Sequence, residues 1–177
     1  MIDFLKRYCL PIGLKLSVKR NKILRFSSSY IDAKSILIYF TSQGNQKIAL
    51  IKGVQNKMEK EGKKVKCIYL LLNDEDKPDV HLDEGMERLH PQDFSLFGEI
   101  HKQSVNKLLN EEFDYLIHAD MVSNIYSDLI MSKCKAKCRI GRHFEGHKDQ
   151  YDMMVGIPDG KKINFLLDQM YHYTKAL

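Results

Sequence analysis

The chain lacks any apolar run long enough to cross a bilayer. Its longest uninterrupted apolar stretches, residues 36–40 and 68–72, are the length of strands, whereas a membrane-spanning helix needs roughly 20 residues. A secretory signal peptide is not expected, because an acid stands at Asp3 and no apolar segment follows the first basic residues. Four cysteines in 177 residues are too few for a disulfide scaffold. We therefore predict a reduced, cytoplasmic protein with no transmembrane segment.

Several signatures of well-defined chemistry are missing as well. The sequence contains neither G-x-G-x-x-G nor G-x-x-x-x-G-K-[ST], so dinucleotide binding and P-loop chemistry lack their hallmarks. No serine stands in G-x-S-x-G, and no cysteine has the surroundings of a nucleophile. The sequence identifies no cofactor.

Positive charge is concentrated in the first 34 residues. That segment has a balance of +6, against −1 for the remainder. We therefore divide the chain into a basic N-terminal arm, residues 1–34, and a single α/β domain, residues 35–177. Pro11 and Gly13 are expected to interrupt the arm, leaving short helices at about residues 2–9 and 19–30. The basic residues are Lys6, Arg7, Lys15, Lys19, Arg20, Lys22, Arg25 and Lys34.

The arm has two interpretations. It could bind an anionic partner such as RNA, membrane headgroups or an acidic protein. Alternatively, its apolar residues pack on the sheet edge or on a neighbouring subunit, with the lysines in solvent. We favour packing, because the aromatic residues expected of a nucleic-acid stacking surface are sparse. A protein partner or a homo-oligomer is compatible with this interpretation.

The remainder of the chain alternates strand and helix patterns. Residues 35–46 combine a continuous apolar run, a glycine-containing turn and the start of a helix, which is the opening of a βαβ unit. Further strands are predicted at 65–72, 86–90, 113–120, 138–143 and 151–157, whereas residues 73–100 are poorly defined. The predicted fold is a three-layer Rossmann-like α/β sandwich with a mostly parallel sheet of five to six strands.

In a doubly wound sheet, a cleft opens where the first strand meets the strand at residue 113. A glycine-containing turn before a helix can present N–H groups to an anion. We therefore predict that this cleft binds a nucleotide or a sugar phosphate, with Arg142 as a further anion-binding group. The predicted ligand-binding residues are Ser42, Gln43, Gly44, Asn45, Asp120, Ser123, Asn124 and Arg142.

Two other groups of residues contain side chains that can carry chemistry. His118 and Asp120 are weak candidates for a catalytic acid–base pair, because alternate positions on a strand share a face without necessarily touching. A zinc site at Cys134, Cys138, His143 and His147 is not predicted, since a helix end running into a strand would scatter these side chains. Two cysteines in apolar company are more often core residues.

Two segments carry a resemblance to known families. The stretch Phe113-Asp114-Tyr115-Leu116-Ile117, followed by a helix and by residues 134–142, resembles "fDlvIdl…gAkrRiGf" in the N-terminal Rossmann-like domain of family 9 glycosyltransferases, the heptosyltransferases. Residues 36–45 are similar to that domain's first strand and "s-x-G-D" turn. Together with Asp93-Phe94-x3-Gly98, the pattern also resembles a small uncharacterised bacterial family, a domain of unknown function of about this length.

The resemblance implies one half of a GT-B enzyme, with two departures. In the glycosyltransferases the turn carries an Asp thought to act as a base, whereas Asn45 stands here. The domain that binds the nucleotide-sugar donor has no counterpart in 177 residues. Our leading hypothesis is therefore a stand-alone binding or interaction module. The alternatives are a small enzyme acting on a phosphorylated or sugar-nucleotide substrate, and an RNA- or membrane-surface protein acting through the arm.

Overall fold

The computed structural model of the chain describes residues 2–20, 24–26, 29–79 and 81–177, with the backbone alone at 2, 3, 20 and 148. At its centre is a six-stranded sheet in which every neighbouring pair is parallel, in the order β3-β2-β1-β4-β5-β6. The strands are β1 Ser35–Thr41, β2 Lys64–Leu70, β3 Glu87–Leu89, β4 Glu112–His118, β5 Lys135–Arg142 and β6 Met153–Val155. This order is characteristic of Rossmann folds and confirms the predicted fold class.

In the described ranges, five α-helices cover the two faces of the sheet. They are α1 Ile2–Arg20, α2 Asn45–Lys60, α3 Gln103–Asn110, α4 Ile125–Lys133 and α5 Ile163–Lys175. Helices α2 and α5 pack together on one face, and α1 and α3 both pack against α4 on the other. The result is the predicted three-layer sandwich. Along the described ranges, no helix combines the length and the apolar character needed to cross a membrane.

The apolar run in β1 is explained by its place in the sheet. Ile38 and Phe40 belong to the core cluster under α2 and α5, whereas Leu37 and Tyr39 belong to the cluster under α1, α3 and α4. A strand covered on both faces buries every side chain, so it shows no polar alternation. β1 therefore lies at the centre of both cores, as its sequence predicts.

The expectation that Pro11 and Gly13 would break the arm is wrong. α1 runs without interruption from Ile2 to Arg20, and Pro11 lies exposed inside it. Gly13 lies so close to the Phe97 carbonyl oxygen that a Cβ would stand 1.8 Å from it. Ser132 donates a hydrogen bond at 2.8 Å to the hydroxyl of the buried Ser17. Tertiary packing against α4 thus overrides the low helix propensity of these two residues. The division into arm and domain remains a prediction.

Residues 73–100 form the less regular edge of the molecule. Two single turns of 3-10 helix, Asp74–Asp76 and Pro91–Asp93, flank the short edge strand β3. The predicted strand at 86–90 is thereby confirmed, with bounds one residue narrower at each end. Phe94 and Ile100 are buried and close this segment onto the face covered by α3 and α4.

Candidate functional site

The switch point of the sheet lies between β1 and β4. The two strands are neighbours, with Tyr39 aligned to His118, and the chain leaves them toward opposite faces. β1 continues through the turn at residues 42–44 into α2, whereas β4 continues through residues 119–124 into α4. In a doubly wound sheet, ligands bind where such connections diverge. The two predicted turns therefore meet at the expected edge.

Asp120 is the centre of this edge. Its carboxylate accepts hydrogen bonds from the Thr41 N–H at 2.9 Å and from the Thr41 hydroxyl at 2.8 Å. Lys47 Nζ forms an ion pair with Asp120 Oδ1, and His118 Nε2 lies 3.2 Å from Oδ2. We refer to Thr41, Lys47, His118 and Asp120 as the Asp120 cluster. Asp120 is 2% exposed and Lys47 is 3% exposed.

The pKa of Asp120 reflects these partners. Burial raises the pKa, but the hydrogen bond from His118 and the charge of Lys47 outweigh it and lower the pKa to about 2. The group is therefore an ionised carboxylate at neutral pH, which can only accept hydrogen bonds. His118 Nε2 must then donate to Asp120, and in the neutral imidazole Nδ1 accepts from the Tyr151 hydroxyl at 2.6 Å. Each polar side chain of the Asp120 cluster therefore has a hydrogen-bond or ion-pair partner within the protein.

The turn after β1 is fastened to the loop at residues 74–79. The Ser42 hydroxyl donates to the Asp76 carbonyl oxygen at 2.6 Å. Asn45 Nδ2 donates to Asp79 Oδ2 at 2.8 Å, and Asn45 Oδ1 accepts from the Asp79 N–H at 3.0 Å. These two side chains, predicted as ligand-binding groups, are thus engaged within the protein.

The remaining predicted polar residues are engaged in the same way. Asn124 caps α4, since its Oδ1 accepts from the N–H groups of Tyr126 and Ser127, both at 3.0 Å. Its Nδ2 lies 3.4 Å from the Thr41 hydroxyl, which links the two turns. The Ser123 hydroxyl donates to Asp128 at 3.0 Å. Arg142 donates to the Met121 carbonyl oxygen, and its guanidinium lies 5.9 Å from the Phe144 ring centre.

The start of α2 is the part of the predicted site that stays open. Gly44 precedes the helix with φ of 80°, and no side chain caps the helix there. A Cβ at Gly44 would have no atom within 4 Å. Gln43 and Gln46 are exposed beside it. The first N–H groups of a helix are electrostatically positive and lack intrahelical partners, so this end of α2 can accept an anion.

Two members of the network were missed by sequence reasoning. Lys47 stands in the first turn of α2, where a cation opposes the helix dipole, and that unusual placement is the signal that could have found it. Tyr151 stacks on His118, with an interplanar angle of 2°, across a separation of 33 residues. No local pattern reveals such a contact.

The four residues weighed as a zinc site do not come together. Cys134 packs in the cluster under α4, whereas Cys138 packs in the cluster on the opposite face of the sheet. Burial raises the pKa of the Cys134 thiol to about 12. Within the described ranges, no group of three or more His, Cys, Asp or Glu side chains is arranged to hold a metal ion.

The chain belongs to the family of unknown function DUF6913, whose model matches residues 6–177. No curated protein and no solved structure is significantly similar to it.

Proposed function

We propose that this member of a family of unknown function is a binding module that takes a small anionic ligand, such as a nucleotide or a sugar phosphate, at the start of α2. The observation that carries the proposal is the helix start at Gly44, which has a positive φ, no side-chain cap and open space around it. Backbone N–H groups and the helix dipole both favour an anion there. The strand order supports the location, because it makes this turn part of the switch point.

Binding is preferred to catalysis on chemical grounds. An enzyme acting on a phosphorylated or sugar-nucleotide substrate would use Asp120 or His118 as its acid–base group. A general base works best when its pKa is near the working pH, whereas the pKa of Asp120 is lowered to about 2. His118 is fully buried, which keeps it from a substrate. If the protein turned over a substrate, and Asp120→Ala lost this turnover while it retained binding, catalysis would be preferred to binding.

The proposal is tested with a pair of variants in α2. Gln46→Glu places a negative charge in the first turn of α2, where it competes with an anionic ligand. The same charge interacts favourably with the helix dipole and should stabilise the protein by about 0.3–1 kcal/mol. Asn56→Asp makes a similar change of charge at an exposed position far from the helix start. The assay is a thermal-shift screen with nucleotides, nucleotide sugars and sugar phosphates.

The proposal predicts a ligand-induced rise in Tm that Gln46→Glu abolishes and Asn56→Asp retains. A ligand at about 100 times its Kd adds roughly 2.7 kcal/mol, which is several degrees for a domain of this size. A flat screen, or a shift that survives Gln46→Glu, would show that α2 does not bind the anion.

A second candidate function is attachment to an anionic membrane surface through α1. The favouring observation is the outward side of this helix, where Phe4, Tyr8 and Ile12 are 65%, 62% and 52% exposed. Arg7, Lys15 and Lys19 are exposed on the same helix. Exposed apolar side chains beside basic residues are typical of helices that lie in a lipid headgroup region. RNA binding relies instead on phosphate contacts and on the stacking of bases on aromatic side chains.

Co-sedimentation with vesicles tests this second function. Binding to vesicles rich in phosphatidylserine, absent with phosphatidylcholine alone, would support it. Tyr8→Ser with Ile12→Ser should abolish binding, whereas Lys15→Glu with Lys19→Glu should reduce it and remove its salt dependence. Vesicle binding unchanged in both double variants would exclude α1 as the attachment site.

A further inference from the structure

A polar cavity lies on the other side of β5 from α5. Its volume is about 300 Å³, and its walls come from the end of α1, from α4, from β5 and from the loop at residues 146–150. Its lining includes the side chains of Arg25, Asp128, Arg139, Asp149 and Gln150. None of them belongs to the Asp120 cluster.

Arg139 lines this cavity without an ion-pair partner among the described residues, and the charge of the nearby Asp152 acts on it only from a longer distance. The residue is only 7% exposed, and its Nη2 donates to the Cys134 carbonyl oxygen at 3.1 Å. Its Nε is buried and has no partner in the described part of the chain, nor does any described carboxylate form an ion pair with it. Burial and the nearby charge of Arg25 lower the pKa of Arg139. A buried guanidinium in this state is costly unless an anion reaches it.

Among the described residues, Arg25 and Asp128 have internal partners, whereas the Asp149 carboxylate, which also lines the cavity, has none. Arg25 forms an ion pair with Asp152 at 2.8 Å and donates to the Asp149 carbonyl oxygen at 2.8 Å. Asp128 lies 3.5 Å from His147 Nε2 and accepts from Ser123. Of the two arginines that line the cavity, Arg139 is therefore the one without an ion-pair partner among the described residues.

Gln150 provides a second unsatisfied atom in the same cavity. Its Oε1 is buried and has no partner among the described residues. Two of the residues that line the cavity thus carry a buried, unpaired polar atom, a donor in Arg139 and an acceptor in Gln150. Buried polar atoms are nearly always hydrogen-bonded in folded proteins, and these two atoms have no such partner among the described residues.

We propose that this cavity binds a small carboxylic acid that also carries a hydrogen-bond donor, such as a hydroxy acid or an amino acid. The carboxylate pairs with Arg139, and the hydroxyl or ammonium group donates to Gln150. A water molecule could bond to both atoms but would leave the guanidinium uncompensated. A doubly charged phosphate is disfavoured, because Asp128 and Asp149 also line the cavity. The volume is at the lower limit of ligand pockets, about 300–1,000 Å³, which fits a small molecule better than a nucleotide.

The test measures the Tm of the full chain with glycolate, L-lactate, glycine and L-serine, using sodium chloride and inorganic phosphate as comparisons. An acid that binds should raise the Tm by roughly 5–10 °C at about 100 times its Kd. Arg139→Met and Gln150→Glu should each abolish the rise, the first by removing the cation and the second by adding an internal anion. Lys135→Met removes a cation from the same strand but outside the cavity, so it should retain the rise.

Each result decides the proposal. No shift with any of the four acids, or a shift with phosphate alone, overturns it. A shift that persists in Gln150→Glu places the binding site elsewhere and overturns it too. If Arg139→Met does not fold, Gln150→Glu decides alone. Gln46→Glu should leave this shift unchanged, so failure here is distinguishable from failure of the site at α2.

Discussion

Two of the places where the described residues bury charge are built differently. In the Asp120 cluster, a buried carboxylate is matched by the Lys47 ammonium, by two groups of Thr41 and by His118. In the cavity at Arg139, a buried guanidinium has one hydrogen bond to a carbonyl oxygen and an unpaired Nε. A charge whose partners all belong to the chain stabilises the fold only while the set is complete, whereas the charge without an ion pair is the one at which we propose a ligand. Whether a buried charge has partners within the chain therefore distinguishes a structural role from a binding role more clearly than its burial does.

The largest effect is expected from making the same replacement at both places. Lys47→Met leaves Asp120 ionised, buried and without its cation, which should cost about 3–5 kcal/mol of the free energy of unfolding. Arg139→Met loses the hydrogen bond to Cys134, about 1 kcal/mol, but relieves an uncompensated charge. Its net effect should be near zero. Urea denaturation of the two variants measures the difference.

Two further variants serve as controls for this comparison. Lys60→Met replaces an exposed lysine of the same helix and should change stability by less than about 0.5 kcal/mol. In Lys47→Met with Asp120→Asn, the loss should be smaller than the sum of the single losses, because neither charge is left alone. Equal destabilisation by Lys47→Met and Arg139→Met would mean that Arg139 has an internal partner, and the contrast between the two places would fail.

A second way to test the contrast is pH. The pKa of Asp120 is about 2 in the folded protein, below its ordinary 3.8. The stability that its ionisation contributes is therefore complete above the ordinary pKa and is lost as the pH falls from about 5 to about 2. The lowering of the Asp120 pKa from 3.8 to about 2 corresponds to about 2–3 kcal/mol of stability. The free energy of unfolding, measured by denaturant titration across this range, should fall accordingly.

The double variant Lys47→Met with Asp120→Asn isolates this contribution. The pKa values of Asp114 and Glu61 are also lowered to about 2, so these groups titrate over the same range. They are present in both proteins and cancel in the difference. If the two proteins lose stability in parallel as the pH falls, Asp120 does not have the partners described for it.

The fold could be predicted because its signals are local. The unbroken apolar run of β1 and the Gly44 turn indicate a strand buried on both faces followed by a helix. The position of the switch point follows from the same alternation once β1 and β4 are neighbours. These features depend on periodicity and turn chemistry, which each segment carries in its own residues.

The chemistry of the two buried charges could not be predicted in the same way. The sequence predicts that Asp120 binds a ligand. In the structure its carboxylate is bonded to Thr41 and Lys47, which lie more than 70 residues away in sequence. Arg139 is the second residue of the strand predicted at 138–143, where nothing local distinguishes a buried arginine from an exposed one. Whether a polar group is satisfied depends on tertiary contacts, and a single sequence does not encode those in any pattern of spacing.

The smallest expected effect concerns the wall that α1 gives to the Arg139 cavity. Val18, near the end of this helix, lines the cavity, and the helix is held in place by the close approach of Gly13 to the Phe97 backbone. Gly13→Ala would place a Cβ 1.8 Å from a carbonyl oxygen, so α1 must move. Overpacking of this kind costs about 1–3 kcal/mol, measured by urea denaturation.

Gly53→Ala is the matched control. Gly53 is exposed inside α2, has no positive φ, and would have no atom within 4 Å of an added Cβ. This substitution should stabilise the protein by about 0.4–1 kcal/mol, because alanine loses less backbone entropy on folding. Opposite signs at the two glycines would confirm that α1 is seated by the contact with Phe97. If Gly13→Ala instead stabilises the protein as Gly53→Ala does, α1 is not held by that contact, and the cavity beside Arg139 lacks a fixed wall.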